Sequence, residues 1–75
     1  MPYVNIRVTN EGVSAEQKLA LIEGTTELLF RVLGKPPIST FVVIDEVETD
    51  NWGWQGKTTT QIRQEQRMGD SKSIT

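Results

Sequence analysis

The sequence has no cysteine and no histidine among its 75 residues. Disulfides are therefore excluded, and so are the structural zinc sites that cysteine and histidine build. A chain this short buries only a modest fraction of its surface alone, so oligomerisation is the remaining means of stabilising the fold. The sequence therefore predicts a homo-oligomer with no metal site.

Positive charge and long apolar runs are also scarce. The eight Lys and Arg residues are scattered among ten Asp and Glu residues, which leaves a formal net charge of -2. This acidic balance argues against a nucleic-acid partner, and the lack of an apolar stretch of about 20 residues argues against a membrane span. Since no basic and then apolar leader opens the sequence, the expected location is the cytoplasm.

The first half of the chain has the pattern of a strand followed by a helix. Apolar and polar residues alternate over residues 2–8, which is the period of a strand with one apolar face. Ser14 and Gln17 form a capping-box pattern that predicts a helix from about Ala15 to Leu33, and Gly34 before two prolines predicts its end. We expect the apolar stripe of this helix to be core; its residues are Leu21, Ile22, Leu28, Leu29, Val32 and Leu33.

The second half predicts a strand over residues 38–47 and a tight hairpin or looped ribbon over residues 51–56, where two glycines lie among tryptophans. Strand, helix and strand give a right-handed crossover with parallel strands, so the expected fold is a single α/β domain over residues 1–75. Thr58-Thr59-Thr60 is either an added edge strand or a flexible connector. The polar tail over about 64–75 is either disordered or an arm that contacts another subunit.

Two parallel strands under one helix leave two unpaired strand edges and one uncovered apolar face. The simplest remedy is a homodimer in which the strands of two copies form a four-stranded sheet with the helices on one face. The tryptophans of the hairpin, Trp52 and Trp54, are expected to pack on a neighbouring copy.

Four features in this order are similar to a known family: Met1-Pro2 before an alternating strand, a helix opened by Ser14-Ala15-Glu16-Gln17-Lys18, the strand Phe41 to Glu46, and the Trp-Gly hairpin. The chain resembles the 4-oxalocrotonate tautomerase family over residues 2 to about 63. The resemblance implies dimers that assemble into a hexamer, no cofactor, and an amino-terminal proline that moves a proton on a small enol or keto acid, such as a 2-hydroxydienoic acid.

The proline chemistry also has a rationale of its own. Removal of Met1 would leave Pro2 with a free secondary amine, and one base of intermediate pKa is sufficient to take a proton from an enol hydroxyl and return it to carbon. An α-amino group ordinarily titrates at roughly 7.7 to 8, so an apolar pocket that lowers the pKa of Pro2 would favour the basic form. By the family pattern, this pocket is expected from Val13, Phe41 and Trp52.

Two of these pocket positions depart from the family. Its best-known members hold substrate carboxylates with two arginines, and the matching positions here are Val13 and Phe41, neither of which can make such a contact. A monoacid or a phenylpyruvate-like enol is therefore easier to accommodate than a dicarboxylate. Arg7 and Arg63 are the candidate replacement cations, and plain surface charge is the competing interpretation of each.

Three interpretations of the function stay open. The first is a keto-enol tautomerase that uses Pro2, and the second is a hydratase or dehalogenase on the same scaffold, which needs a carboxylate to activate water. Asp45 and Glu46 are adjacent carboxylates, but neighbours on a strand point to opposite faces and cannot form a pair. The third interpretation is an oligomeric binding domain with no catalytic role.

Overall fold

The computed structural model describes the backbone of residues 1–74 and the side chains of residues 1–68. Strands β1 and β2 are parallel, in register from the pair Tyr3 and Phe41 to the pair Thr9 and Val47, and helix α1 connects them. This architecture confirms the predicted β-α-β protomer with a C-terminal hairpin. None of the helices in the part of the chain that the structure describes is long and apolar enough to cross a membrane. The elements are β1 (Tyr3–Thr9), α1 (Ala15–Leu33), a 3-10 turn (Pro37–Ser39), β2 (Phe41–Val47), a second 3-10 turn (Thr49–Asn51), β3 (Gly53–Trp54), β4 (Lys57–Thr58) and α2 (Thr59–Ile74).

Helix α1 has the boundaries that its sequence signals predicted. The backbone N–H of Gln17 donates to Ser14 Oγ at 3.1 Å, and the N–H of Ser14 donates to Gln17 Oε1 at 2.9 Å. This reciprocal pair satisfies two N–H groups that the first turn would otherwise leave without a partner. At the other end, Gly34 has φ of 68°, and its N–H donates to the carbonyl of Phe30 at 2.9 Å. A left-handed conformation is easy for glycine and ends the helix there.

Strand β2 begins three residues later than its sequence predicted. Pro37–Ser39 form a 3-10 turn, because the proline fixes φ and the carbonyl of Pro36 accepts hydrogen bonds from the hydroxyls of Ser39 and Thr40. Ile38, which was assigned to the strand, is 91% exposed in this turn. The predicted strand over residues 38–47 is therefore wrong at its first three residues.

The hairpin and the chain after it were predicted only in part. Strands β3 and β4 are antiparallel, with Gln55 and Gly56 at φ of 55° and 78° in a tight two-residue turn. Thr58 ends β4 and caps α2, since its hydroxyl accepts from the N–H of Gln61 at 3.1 Å. The polar tail is thus helical from Thr59 to Ile74. Its last residue, Thr75, and the side chains from Gly69 onward lie outside what the structure describes.

The described side chains of a single protomer form no closed hydrophobic core. Val4, Ile6 and Val8 of β1 are half-buried, and among the described residues no apolar side chain is fully buried. The accessible surface is 5818 Å², whereas a compact monomer of this length exposes about 4,700 Å². The stripe of α1 that was predicted to be core is therefore largely exposed within one protomer. Its exposed members are Leu21, Ile22, Leu28, Val32 and Leu33, at 39, 36, 46, 67 and 58%.

Candidate functional site

Pro2 lies immediately before β1 and is half-buried. Its carbonyl accepts a hydrogen bond from the backbone N–H of Phe41 at 3.0 Å, so the two residues lie together where the parallel strands begin. The Phe41 side chain is 50% exposed and shares its face of the sheet with Tyr3, its register partner. Met1, which precedes Pro2, is 86% exposed.

Arg7 and Trp52 lie together at a different place, toward the ends of β1 and β2 that are away from Pro2. They line an open cleft of about 300 Å³ together with Val47, Asn51 and Gly53. Five residue steps of extended chain lead from Pro2 to Arg7, which corresponds to about 17 Å along β1. The candidate base and this cleft are therefore separate within one protomer.

Trp52 is held in its position by the start of α2. Its carbonyl accepts two hydrogen bonds from Thr59, one from the backbone N–H and one from the hydroxyl, each at 2.8 Å. Thr59 is 7% exposed and is the one buried polar residue among those the structure describes. Because a buried N–H and hydroxyl are costly to leave without a partner, this contact fixes the hairpin against the helix. These hydrogen bonds to its carbonyl fix the backbone of Trp52, whose side chain is half-buried.

A polar network surrounds Arg7 on the face of the sheet away from α1. A guanidinium nitrogen of Arg7 lies 3.6 Å from a carboxylate oxygen of Asp45, its register partner on β2. The same carboxylate oxygen accepts from the side-chain amide of Asn5 at 2.8 Å, and that amide also donates to the carbonyl of Val43 at 3.3 Å. The sequence analysis missed this role of Asp45. The parallel register would have revealed it, since Arg7 and Asp45 occupy the same level of neighbouring strands.

The two adjacent carboxylates of β2 point in opposite directions, as their alternation predicted. Asp45 pairs with Arg7 on one face, and Glu46 pairs with Lys18 of α1 on the other. They therefore cannot act together on one substrate, which confirms the sequence argument against a carboxylate pair.

Arg63, the second candidate cation, lies in α2 and lines a different cleft from that of Arg7 and Trp52. Its Nε and Nη2 each lie 3.3 Å from the carboxylate of Glu11, and its Nη1 donates to Gln66 at 3.2 Å. These residues line a cleft of about 420 Å³ with Thr49, Thr60 and Arg67. The guanidinium is therefore engaged in attaching α2 to the turn after β1.

Val13 lines neither the cleft of Arg7 and Trp52 nor the cleft of Arg63. It is half-buried before α1 and lines a shallow apolar hollow with Gln17, Ala20 and Leu21. One protomer thus brings Pro2 to Phe41 and Arg7 to Trp52, but it assembles no site that contains all the predicted residues. Their assignments as substrate contacts stay predictions.

Comparison with known proteins places these features in context. A family model described as tautomerase enzyme matches residues 2–62. A protein named "Probable tautomerase K2" from Dickeya dadantii (strain 3937) is 60% identical over 65 residues, which cover 87% of this chain and 97% of the relative. The 2-hydroxymuconate tautomerase of Comamonas testosteroni is 41% identical over 56 residues, or 75% of this chain and 87% of that enzyme. The crystal structure of DmpI from Helicobacter pylori matches with a TM-score of 0.76 and 42% identity, and the match covers 84% of this chain and 97% of that one.

Proposed function

The chain belongs to the tautomerase enzyme family, and we propose that it is a keto-enol tautomerase with the amine of Pro2 as general base. The observation that carries the proposal is the place of Pro2, half-buried before β1 and hydrogen-bonded through its carbonyl to Phe41, with an exposed Met1 ahead of it. Removal of Met1 would convert the amide nitrogen of Pro2 into a secondary amine at the end of a sheet. The family membership supports the reaction type.

The proposed reaction is a proton transfer with no change in oxidation state. Pro2 takes the proton of the enol hydroxyl as the carbonyl forms, and it returns that proton to a carbon of the enol as the carbon-carbon double bond shifts. The O–H bond breaks, a C–H bond forms, and the amine is regenerated. A single positioned base is sufficient for both transfers, and such catalysis typically accounts for about 10²-fold to 10⁴-fold in rate.

We further propose that the complete site lies between copies of this chain. A two-fold axis perpendicular to the sheet joins edge strands of two copies in antiparallel orientation. The end of one copy that carries Pro2 and Phe41 then lies beside the end of the other that carries Arg7 and Trp52. The unburied apolar surface of the protomer supports this homodimer, and the resemblance to the family supports a hexamer made of three such dimers.

The proposed substrate is a small enol or 2-hydroxydienoic acid with altered specificity relative to the best-known family members. Val13 and Phe41 supply no cation, and Arg63 is occupied by Glu11. Arg7 and Trp52 share a cleft and provide one carboxylate-binding group beside one aromatic surface. This combination supports a monocarboxylate with an apolar end better than a dicarboxylate.

The test combines intact mass with an ultraviolet assay of ketonisation on 2-hydroxymuconate and phenylenolpyruvate. We expect the purified protein to lack Met1 and to turn over at least one enol. The variant Pro2→Ala should lose about 10²-fold to 10⁴-fold in kcat/KM. Pro37→Ala is the matched control, because Pro37 lies in the 3-10 turn before β2, and it should keep wild-type turnover. Full activity in Pro2→Ala, or in a protein that retains Met1, would refute the role of Pro2.

A further inference from the structure

Helix α2 begins with two threonines that contact the segment before the hairpin. The backbone N–H and the hydroxyl of Thr59 both donate to the carbonyl of Trp52 at 2.8 Å. The hydroxyl of Thr60 lies 2.6 Å from the hydroxyl of Thr49 and also donates to the carboxylate of Asp50. The first turn of α2 is therefore attached to both ends of the segment that contributes Trp52 to the cleft.

Thr59 makes the more buried of these two attachments. It is 7% exposed, whereas Thr60 is half-buried. A side chain branched at Cβ has few allowed rotamers, so the hydroxyl and the backbone N–H of Thr59 form a pair of donors with little freedom to separate. Together they occupy both lone pairs of the Trp52 carbonyl. A carbonyl held in this way fixes ψ of Trp52, which is 107°, and with it the direction in which the Cα–Cβ bond leaves the backbone.

These hydrogen bonds join two parts of the same chain. They do not depend on which surface of another copy faces the cleft, because Thr59 is already buried within one protomer. In the proposed site, Trp52 contacts the apolar end of the substrate while Pro2 acts on the enol. A contact of that kind is equally strong in the ground state and the transition state, so weakening it raises KM and leaves kcat nearly unchanged.

We propose that Thr59 is a positioning residue that holds Trp52 in the orientation that binds the substrate. The inference rests on the proposed function, in which Trp52 contacts the substrate. It adds a residue to which neither the sequence analysis nor the comparisons assign a role in the site. Thr59 acts through the backbone of Trp52 and does not touch the substrate.

The variant Thr59→Val removes the hydroxyl and keeps the branched shape and the backbone N–H. The Trp52 carbonyl then keeps one of its two hydrogen bonds, so the fold is retained. We expect KM for phenylenolpyruvate to rise about twofold to tenfold, the range that one hydrogen bond supplies, and kcat to change by less than about twofold. Thr59→Ser restores the hydroxyl and should have a KM near that of the wild type. Thr26→Val is the matched control, because the Thr26 hydroxyl donates to the carbonyl of Ile22 at 2.7 Å within α1, and it should leave KM unchanged.

A double-mutant cycle shows whether Thr59 acts through the indole. Trp52→Ala removes the indole and keeps the backbone carbonyl that Thr59 contacts. Thr59→Val should therefore raise KM when Trp52 is present and leave KM unchanged in the Trp52→Ala background. Equal increases in the two backgrounds would overturn the positioning role, since they would mean that Thr59 affects the site by another route. An unchanged KM in Thr59→Val with Trp52 present would overturn it as well.

Time-resolved fluorescence anisotropy separates this inference from the proposed function. The chain has two tryptophans, so Trp54→Phe leaves Trp52 as the only fluorescent indole. In this background, Thr59→Val should increase the amplitude of nanosecond motion of the indole, and Thr59→Ser should not. Unchanged motion in Thr59→Val would overturn the inference even where turnover depends on Pro2. Increased motion in a protein whose Pro2→Ala variant keeps full turnover would support the hold of Thr59 on Trp52 and refute the proposed function.

Discussion

Dilution is the perturbation that most directly tests how this protein is stabilised. The protomer exposes 5818 Å², about 1,100 Å² more than a compact chain of its length. Its radius of gyration is 17.3 Å, whereas about 11 Å is expected for 75 residues. Removing the excess from two protomers would bury about 2,200 Å², which is the size of an obligate dimer interface. We therefore expect folding to be coupled to assembly, so that the Tm rises with protein concentration.

The size of that rise follows from the length of the chain. Unfolding entropy is about 2.1 cal/mol/K per residue near 60 °C, so a dimer of 75-residue protomers unfolds with about 0.32 kcal/mol/K. Each tenfold change in concentration is worth about 1.5 kcal/mol per association step at that temperature. The Tm should then rise by about 5 °C per tenfold concentration for a dimer. For a hexamer, which has five association steps and three times the entropy, the rise is about 8 °C.

Circular dichroism or differential scanning fluorimetry from 1 to 100 μM would measure this slope, and sedimentation velocity at the same concentrations would give the oligomeric state. A Tm that stays constant over this range, together with a monomeric sedimentation coefficient, would refute the coupling. It would mean that the exposed face of α1 is stable in water without a partner. A slope near 5 or near 8 °C would discriminate the dimer from the hexamer.

Two further predictions concern local contacts. Gly34→Ala should lower the free energy of unfolding by about 1 to 2 kcal/mol per protomer, because φ of 68° is strained for a residue with a Cβ. Gly34→Asn should lower it by less, since asparagine tolerates this conformation better. Equal stability of all three proteins in urea titrations would contradict this prediction. Arg63→Ala should speed amide exchange in the first turns of α2 by roughly twofold to fivefold, since the half-exposed ion pair with Glu11 is worth less than about 1 kcal/mol. Arg67→Ala should leave this exchange unchanged. Unchanged exchange in Arg63→Ala would show that the ion pair does not hold α2.

Local signals explain how much of the fold could be predicted. The alternation before Thr9, the capping box at Ser14 and the glycine at position 34 each act within a few residues, and each gave a confirmed element. Helix α2 was missed because its polar sequence has no apolar period, so the search for periodicity gave no signal. The spacing Thr58 to Gln61 is nevertheless the same capping pattern that predicted α1, and it marks the start of α2.

The candidate site was harder to predict because its members are brought together by register and by assembly. The pairing of Arg7 with Asp45 depends on how β1 aligns with β2, and no local pattern encodes that alignment. The predicted pocket of Val13, Phe41 and Trp52 came from the family pattern, and in one protomer these residues lie apart. Local conformational preferences can be predicted directly from a sequence, whereas contacts between strands can be predicted only once the fold and its register are known.

Joining two protomers through their sheets would cover the exposed apolar surface and also bring Pro2 close to a cleft. Apolar side chains of α1 and the strand edges lack cover, and Pro2 lies about 17 Å from the cleft at Arg7 and Trp52. Antiparallel joining of two sheets pairs an open edge, places the two helices on the same face, and sets the Pro2 end of one copy beside the cleft end of the other. Stability and catalysis would then require the same contact. The described side chains of a monomer form neither a closed core nor a complete site, so the proposed proline chemistry would require the assembly.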